Sequence, residues 1–461
     1  TRELAQQIAD EAKQLLTFHQ YTLATFFGGT NMSRDLKRFQ QGPPPDLVVA
    51  TPGRLEDHLQ NHGLRDHMAS LKVLILDECD QLLDMGFRPA IERIIGWLPP
   101  KQGRQNLLFS ATLPQDVQTI ARVALNPRYA MVDCVGEEQS THEHVPQSYL
   151  VCSMSDQLKE LYALVREAMQ QPGYKVLAFF TTARMTQFFA ELFVKLGIPV
   201  LEIHSRKSQK YRTRTSDSFR KGSNLVMFTS DVSARGMDYP NVTSVVQVGL
   251  PTDRAQYIHR LGRTARAGQG GNGVLLLCDF ERSFLRQMQD LPLKPRKSGS
   301  FGGGGGGGPQ VEIERALGQL PEKTLACAYQ AWLGFYNSHL RKIGWTQKQL
   351  VQAANTWALD VCLCPTVPAL EAKTIGKMGL KGVPGLVKKS PNQPNQRQGP
   401  SNPPRVGAPS AANGRGGCSF NGDARQQRTV NVVPPQQQAV NVPCPPPQQH
   451  HQHQHQHQHQ H

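Results

Sequence analysis

Short apolar runs alternate with longer segments of helical periodicity along residues 1–292. The runs that predict strands are four or five residues long, and most are apolar on both faces, which is typical of a parallel sheet covered by helices. They are Leu47–Ala50, Val73–Leu76, Asn106–Phe109, Val176–Phe180, Val200–Ile203, Leu225–Thr229, Ser244–Val248 and Val274–Leu277.

The segments between these runs predict helices. A first helix starts at Thr1, because Leu4, Ile8 and Leu15 share one face. Further predicted helices are Pro114–Val123, Asp156–Met169, Ala183–Leu196, Ser208–Lys221 and Phe280–Gln289. The sustained alternation predicts an α/β fold class with doubly wound parallel-sheet domains. A polar break at Gly136–Pro146 divides the run into domains 1–136 and 147–292.

The composition changes after residue 292. Residues 293–311 are predicted to be a linker, because they include seven consecutive glycines, Gly302–Gly308. Residues 312–385 predict a helical extension with helices Glu322–Leu340 and Thr346–Leu359. Residues 386–461 contain 12 Pro and 15 Gln and predict a disordered Pro/Gln/His-rich tail. Its terminal His-Gln alternation is interpreted as a repeat tract rather than a metal site.

The net charge of +15 suggests a nucleic acid or another anionic partner. The excess lies mostly towards the C-terminus, because residues 1–292 carry only +3. No apolar stretch reaches 18 residues, so no membrane-spanning helix is expected. The nine cysteines form no Cys-x-x-Cys motif, which argues against disulfide scaffolds and common zinc modules and favours a reducing compartment.

Five polar segments follow predicted strands or lie in the second domain where a sheet would bind ligands. They are Thr51–Arg54, Asp77–Asp80, Ser110–Thr112, Thr229–Asp238 and Tyr257–Arg266. The acidic pair of the second segment suits Mg²⁺ and a polarised water, and the arginines of the fifth suit phosphate. Each segment taken alone also fits an ordinary helix start, a capped turn or a solvated basic face.

Together and in this order, the segments resemble the motifs of DEAD-box RNA helicases. Asp77-Glu78-Cys79-Asp80 is similar to the name-giving tetrad, with Cys79 where the family has Ala. Thr1-Arg2-Glu3-Leu4-Ala5, the pair Gly28-Gly29 and His204 with Gln209 and Arg212 resemble further motifs, with Ser205 and Ala265 replacing glycines. Residues 328–337 and 376–380 resemble the C-terminal extension of a plant and algal subgroup.

This resemblance implies two RecA-like domains, the first one incomplete, and an ATP-dependent RNA helicase with ATP and Mg²⁺ as cofactors. Its catalytic residues would be Asp77, Glu78, Ser110, Thr112, His259, Arg263 and Arg266, with Asp77 holding Mg²⁺ through water. Its ATP-binding residues would be Asp77, Glu78, Gly236, Asp238, Arg263 and Arg266. Its RNA-binding residues would be Thr1, Arg2, Gly28, Gly29, Thr51, Gly53, Arg54, Gln209, Arg212, Thr229 and Arg235.

The sequence lacks one motif that ATP hydrolysis requires. No Gly-x-x-x-x-Gly-Lys-[Ser/Thr] occurs in the 461 residues, and the chain begins with Thr1 rather than Met. We therefore expect an N-terminally truncated helicase that is inactive as an ATPase on its own. The alternative is a non-catalytic RNA-binding clamp protein. RNA is the expected partner through sequence-independent backbone contacts, with no membrane and a monomeric state. An organelle is the suspected compartment from the subgroup, with nucleus or cytoplasm left open.

Overall fold

The computed structural model describes residues 1–133, 144–231, 237–265, 270–298 and 308–389. Most of the predicted break at 136–146, the glycine run and the tail beyond residue 389 lie outside these ranges, as do Arg235, Gly236 and Arg266. All of the described residues belong to one compact unit. Within the described ranges, no helix is both long and apolar enough to cross a bilayer.

Over residues 1–133, the described part of the first domain, four short strands form two separate parallel pairs, β1 with β2 and β3 with β4. Its elements are α1 (Arg2–Leu15), β1 (Leu23–Phe26), α2 (Met32–Gln40), β2 (Leu47–Ala50), α3 (Pro52–Asn61), α4 (Leu64–His67), β3 (Val73–Leu76), α5 (Cys79–Asp84), α6 (Arg88–Trp97), β4 (Gln105–Leu108) and α7 (Gln115–Ala124). Strand β3 differs from the expectation of burial on both faces, because Val73 is 42% and Ile75 is 53% exposed. The face that these two side chains share is therefore only partly covered by the described residues.

In the described residues of the second domain, seven strands form a wholly parallel sheet in the order β11-β5-β10-β9-β6-β8-β7. Its elements are β5 (Gln147–Cys152), α8 (Gln157–Ala168), β6 (Lys175–Phe180), α9 (Ala183–Lys195), β7 (Val200–Ile203), α10 (Gln209–Lys221), β8 (Leu225–Thr229), β9 (Ser244–Val248), α11 (Arg254–Leu261), β10 (Asn272–Cys278) and β11 (Leu293–Pro295). Strands β6 and β9 are buried along their whole length, as the apolar runs predicted.

Several local features differ from the prediction. The segment predicted as a helix over Phe280–Gln289 is a 3-10 helix over Asp279–Met288. Strands β1, β5 and β11 were not predicted. Strand β11 lies inside the predicted linker 293–311, and α12 begins at Pro309, so both ends of that linker are structured.

The extension packs directly on the second domain. It consists of α12 (Pro309–Leu317), α13 (Glu322–Ser338), α14 (Leu340–Ile343), α15 (Gln347–Thr356), a π-helix (Trp357–Val361) and α16 (Ala372–Lys377). Phe280 of the second domain lies among Trp332, Tyr336 and Trp345, with ring centroids 4.5–6.1 Å away. Trp357 packs edge-on against Phe188 of α9 at 5.6 Å. The extension therefore shares one hydrophobic core with the second domain.

Helix α1 joins the first domain to the second. Its Leu4 is buried in an apolar cluster that includes Phe219 and Tyr239 of the second domain. Further along the helix, Ala5 and Ala9 pack against Phe27 in the first domain. Because both faces of α1 are used, the helix fixes how the polar ends of the strands in the two domains approach each other.

Candidate functional site

The acidic tetrad follows β3 directly, so its carboxylates lie at the carboxyl end of a parallel strand. The backbone N–H of Glu78 donates to Asp77 Oδ1 at 3.0 Å, and Glu78 itself has a left-handed φ of +51°. Burial raises the pKa of Asp77. Cys79 is wholly buried, and burial raises the pKa of its thiol to about 11, so this side chain acts as a small apolar core residue.

Asp80 connects the tetrad to the Ser-Ala-Thr segment and to the second domain. Its Oδ2 accepts a hydrogen bond from Thr112 Oγ1 at 2.8 Å, and its backbone N–H donates to Ser110 Oγ at 3.3 Å. The same Oδ2 lies 4.0 Å from His259 Nε2 of α11. Three sequence-predicted segments therefore meet at one carboxylate.

The arginines that follow His259 are held within the second domain. Arg260 is buried and donates twice to Asp231 Oδ1, at 2.9 and 2.6 Å. Arg263 donates to the backbone carbonyl oxygens of His259 and Met237. These bonds anchor α11 and the residues after it. Arg266 lies outside the described residues.

Arg2 lies over the glycine pair. A Cβ added to Gly29 would stand 2.9 Å from Arg2 Nη1, and one added to Gly28 would stand 3.2 Å from Arg2 Nη2. Gly29 also has a φ of +87°, which side-chain-bearing residues rarely adopt. The two glycines therefore give the guanidinium its close approach to the backbone at this surface.

Arg54 is held by a buried network in the first domain. Its Nη2 donates to Thr30 O at 2.7 Å, and its Nε lies 3.5 Å from Asp35 Oδ2. His58 Nε2 lies 3.2 Å from the same carboxylate oxygen, and burial lowers the pKa of this histidine. The network fixes Thr51–Arg54 against the loop that contains the glycine pair. Sequence reasoning missed Asp35 and His58, because a carboxylate inside α2 and a histidine inside α3 carry no motif.

Glu3 bridges the two domains at the same surface. Its Oε1 accepts from Gln209 Nε2 at 3.0 Å, and its Oε2 accepts from Arg212 Nη2 at 2.6 Å. Both Glu3 and Arg212 are buried. A second link is formed by Gln7 Oε1, which accepts from the backbone N–H of Asp238 at 2.8 Å. The motif resemblance assigns Glu3 no role, and the structure shows that it links the two domains.

The other residues predicted for the site lie at the ends of α1, α3 and β8 or outside the described residues. Thr1 caps the N-terminus of α1 by accepting from Leu4 N, and Thr51 precedes the first turn of α3. Gly53 lies in that turn, and Thr229 is buried at the end of β8, where its hydroxyl donates to Ser230 O. Among the described residues no group of three or more His, Cys, Asp or Glu side chains is arranged to hold a metal ion.

Comparison with known protein families gives two matches. The family model described as DEAD/DEAH box helicase matches residues 1–120. The model described as helicase conserved C-terminal domain matches residues 156–268.

Similar whole proteins come from plants and a fungus. DEAD-box ATP-dependent RNA helicase 31 of Arabidopsis thaliana is 46% identical over 390 residues, covering 84% of this chain and 53% of that protein. The protein of the same name from Oryza sativa is 45% identical and is covered over 70% of its length. The mitochondrial ATP-dependent RNA helicase MSS116 of Phaeosphaeria nodorum is 42% identical and covered over 71%.

A solved structure shows the same architecture. Mss116p bound to single-stranded RNA and AMP-PNP superposes with a TM-score of 0.70 at 26% identity, covering 84% of this chain and 80% of that one.

Proposed function

The chain belongs to the family of DEAD-box ATP-dependent RNA helicases, and we propose that it is the part of such an enzyme that couples ATP hydrolysis to local RNA unwinding or RNP remodelling. The chain spans about half the length of two Arabidopsis relatives that it matches, 53% and 45%. The activity of the whole protein is therefore part of the proposal, whereas membership of the family and its RecA-like fold are established.

The observation that carries the proposal is the meeting of three motifs at Asp80. A nucleotide-driven helicase needs a contact that is made only when its two domains are together. Asp80 accepts from Thr112 in its own domain and lies 4.0 Å from His259 in the other. The carboxylate can therefore transmit a change at the tetrad both to the Ser-Ala-Thr segment and to α11.

The tetrad supplies groups that suit Mg²⁺ and water. Mg²⁺ commonly keeps several waters and uses one or two carboxylates together with substrate phosphates, so the absence of a three-residue cluster among the described residues is compatible with it. When bound, Mg²⁺ neutralises charge on the phosphates. Asp77 would hold it through water and Glu78 would orient the attacking water. Arg263 and Arg266 are proposed as arginine fingers, and Gly236 and Asp238 as further ATP contacts.

The RNA surface is proposed to run from Arg2 and the glycine pair across Thr51–Arg54 to the second domain. Its second-domain members are Gln209, Arg212, Thr229 and Arg235. These groups are cations, hydroxyls, an amide and backbone amides at glycines, which address phosphate and ribose rather than base edges. Binding should therefore be largely independent of RNA sequence. Arg212 donates to Glu3 Oε2 at 2.6 Å and lies buried at the junction of the domains, which supports its inclusion in a surface that both domains form.

Hydrolysis by these 461 residues alone is not expected, because the sequence has no phosphate-cradling Gly-x-x-x-x-Gly-Lys-[Ser/Thr] loop. The test compares RNA-stimulated phosphate release by the 461-residue chain with that of the intact gene product. We expect background release from the chain, and turnover by the intact product that Glu78→Gln abolishes. Turnover by the chain that depends on Glu78 would overturn the first expectation.

The second candidate function is that of a non-catalytic RNA clamp, and the missing loop motif favours it. An intact gene product that binds RNA but releases no phosphate would establish this alternative.

The compartment is proposed to be an organelle, because one relative carries a mitochondrial designation.

A further inference from the structure

A buried carboxylate lies where the extension meets the second domain. Glu281, in the 3-10 helix after β10, has no exposed surface. Its Oε1 accepts from Tyr336 Oη and from the backbone N–H of Leu250, both at 2.7 Å, and its Oε2 accepts from the backbone N–H of Cys278 at 2.8 Å. One side chain thus joins the extension to two separate backbone segments of the second domain.

One of those segments leads directly into α11. Residues 249–253 connect β9 to α11, and Leu250 is the residue whose amide Glu281 holds. Gly249 has a φ of +80°, and a Cβ there would stand 2.8 Å from Thr181 Cγ2. It would also stand 3.5 Å from both Glu281 Oε1 and Tyr336 Oη. The loop is therefore closely packed against the carboxylate and the tyrosine.

The extension holds this loop at a second point. Lys342 Nζ donates to Thr252 O, while Ser283 Oγ donates to Lys342 O at 3.0 Å. Phe335 and Ile343 of the extension also pack against the apolar cluster that contains Tyr257 and Leu261 of α11. These are polar and apolar contacts from one extension to one helix and its entry loop.

Another polar contact of α11 faces the first domain, because His259 Nε2 lies 4.0 Å from Asp80 Oδ2. We propose that Tyr336 and Glu281 are positioning residues through which the extension fixes the loop 249–253 and sets the direction in which α11 presents His259. The extension thereby acts on the nucleotide side of the molecule and not only as a stabilising or RNA-facing addition. The expected effect on ATP hydrolysis rests on the proposed function. The positioning of loop 249–253 and α11 by the extension does not.

Hydrogen–deuterium exchange of the 461-residue chain tests whether the extension positions loop 249–253 and α11. Tyr336→Phe removes one hydroxyl and keeps the ring, so we expect exchange in residues 250–261 to rise about tenfold, because a buried acceptor loses its donor. Exchange in β6 and β8 should stay unchanged. Lys342→Met removes the second contact at an exposed position and should raise exchange over the same residues, and it decides the matter should Tyr336→Phe fail to fold.

Tyr329→Phe is the matched control. The Tyr329 hydroxyl is also in the extension and donates to Asn355 Oδ1 at 2.8 Å, away from the loop. It should raise exchange in α13 and α15 and leave residues 250–261 at the wild-type rate. Unchanged exchange over 250–261 in the Tyr336 and Lys342 variants would overturn the proposed positioning of the loop and α11. An equal increase in the Tyr329 variant would also overturn it.

The catalytic consequence is measured in the intact gene product. Tyr336→Phe should lower kcat for RNA-stimulated ATP hydrolysis, with little change in the affinity for RNA, whereas Tyr329→Phe should alter neither. An inactive wild-type protein would count against the proposed function. The exchange data would still decide whether the extension positions the loop and α11. An active wild type with unchanged kcat in the Tyr336 variant would overturn the coupling to catalysis.

Discussion

The carboxylate of Asp80 lies 4.0 Å from the imidazole of His259, and these two residues belong to different domains. The same carboxylate accepts a 2.8 Å hydrogen bond from Thr112. A single side chain therefore contacts the Ser-Ala-Thr segment and also lies close to α11 of the second domain. In a helicase, separation of the domains would break the contact to His259 and leave the one to Thr112 intact.

Asp80→Asn should weaken this link without changing the size of the side chain. Hydrogen bonds to charged groups contribute about 1.5–3 kcal/mol, so we expect the unwinding rate of a short duplex by the intact gene product to fall at least tenfold. Affinity for single-stranded RNA without nucleotide should change little. Asp116→Asn is the control, because Asp116 pairs with Arg88 at an exposed position, where such pairs contribute little. Equal rates for both variants would contradict the proposed role of Asp80.

Glu3 and Arg212 form a buried ion pair between the domains, 2.6 Å apart. Removal of one partner leaves the other charge buried, which typically costs about 3–5 kcal/mol. We expect Glu3→Gln and Arg212→Met each to lower the urea midpoint. Because the two residues share one interaction, the double variant should lose much less than the sum of the two. Additive losses in the double-mutant cycle would show that the pair is not coupled in solution.

Glu281 gives stability an unusual dependence on pH. Burial raises its pKa to about 7 from an ordinary value of 4.5, so its proton is held more tightly in the folded state. Its stabilising contribution is complete below about pH 4.5 and is lost as the pH rises through about 7, a change of ~3 kcal/mol. Burial also raises the pKa values of the neighbouring Tyr336, Cys278 and Cys152, so these groups stay neutral across this range.

Urea unfolding of the second domain at pH 5 and pH 7.5 tests this sign. The wild type should lose more stability between the two values than Glu281→Gln, which cannot titrate. The test compares how steeply the free energy of unfolding of each protein changes with pH. Absolute stabilities are not compared, because the amide also alters the hydrogen bonds to Leu250 and Cys278. Parallel pH profiles would contradict a raised pKa at this position.

The tail beyond residue 389 should add to RNA affinity through charge alone. It contains five arginines and one aspartate. Removal of residues 390–461 should weaken binding to single-stranded RNA and make the dependence of affinity on salt less steep. A variant with the five arginines replaced by glutamine should match the truncation when measured by fluorescence anisotropy. An affinity that survives both changes would show that the basic tail is incidental to binding.

The elements that sequence reasoning predicted well are those whose signal is local. Four strands of the second domain consist mainly of apolar residues, and the bounds Val200–Ile203, Leu225–Thr229 and Ser244–Val248 agree with prediction, with β6 differing by one residue. Strand β5 was missed because it begins with Gln147 and Ser148. Gln147 is nevertheless buried, with its side-chain oxygen accepting from Tyr257 Oη. Polarity alone gave no indication of that partner, which is 110 residues away in sequence.

The motif residues were recognised, but their partners were not. The resemblance predicted Arg54 and Arg212 as RNA-binding residues, and the structure adds the carboxylates of Asp35 and Glu3 that hold them. Glu281 carries no motif, and its importance arises only from the three donors that the fold brings around it. Charge and periodicity indicate which side chains are polar, whereas tertiary packing decides which of them meet.

The packing of Phe280 among the extension aromatics has a practical consequence. The interface between the extension and the second domain is apolar and closely packed, like a domain core cut in half. Such an interface does not need covalent continuity. Residues 1–298 and 308–461, produced as separate polypeptides, should therefore reassemble like the two chains of an obligate heterodimer, which makes the glycine run a natural site for split-protein reporters.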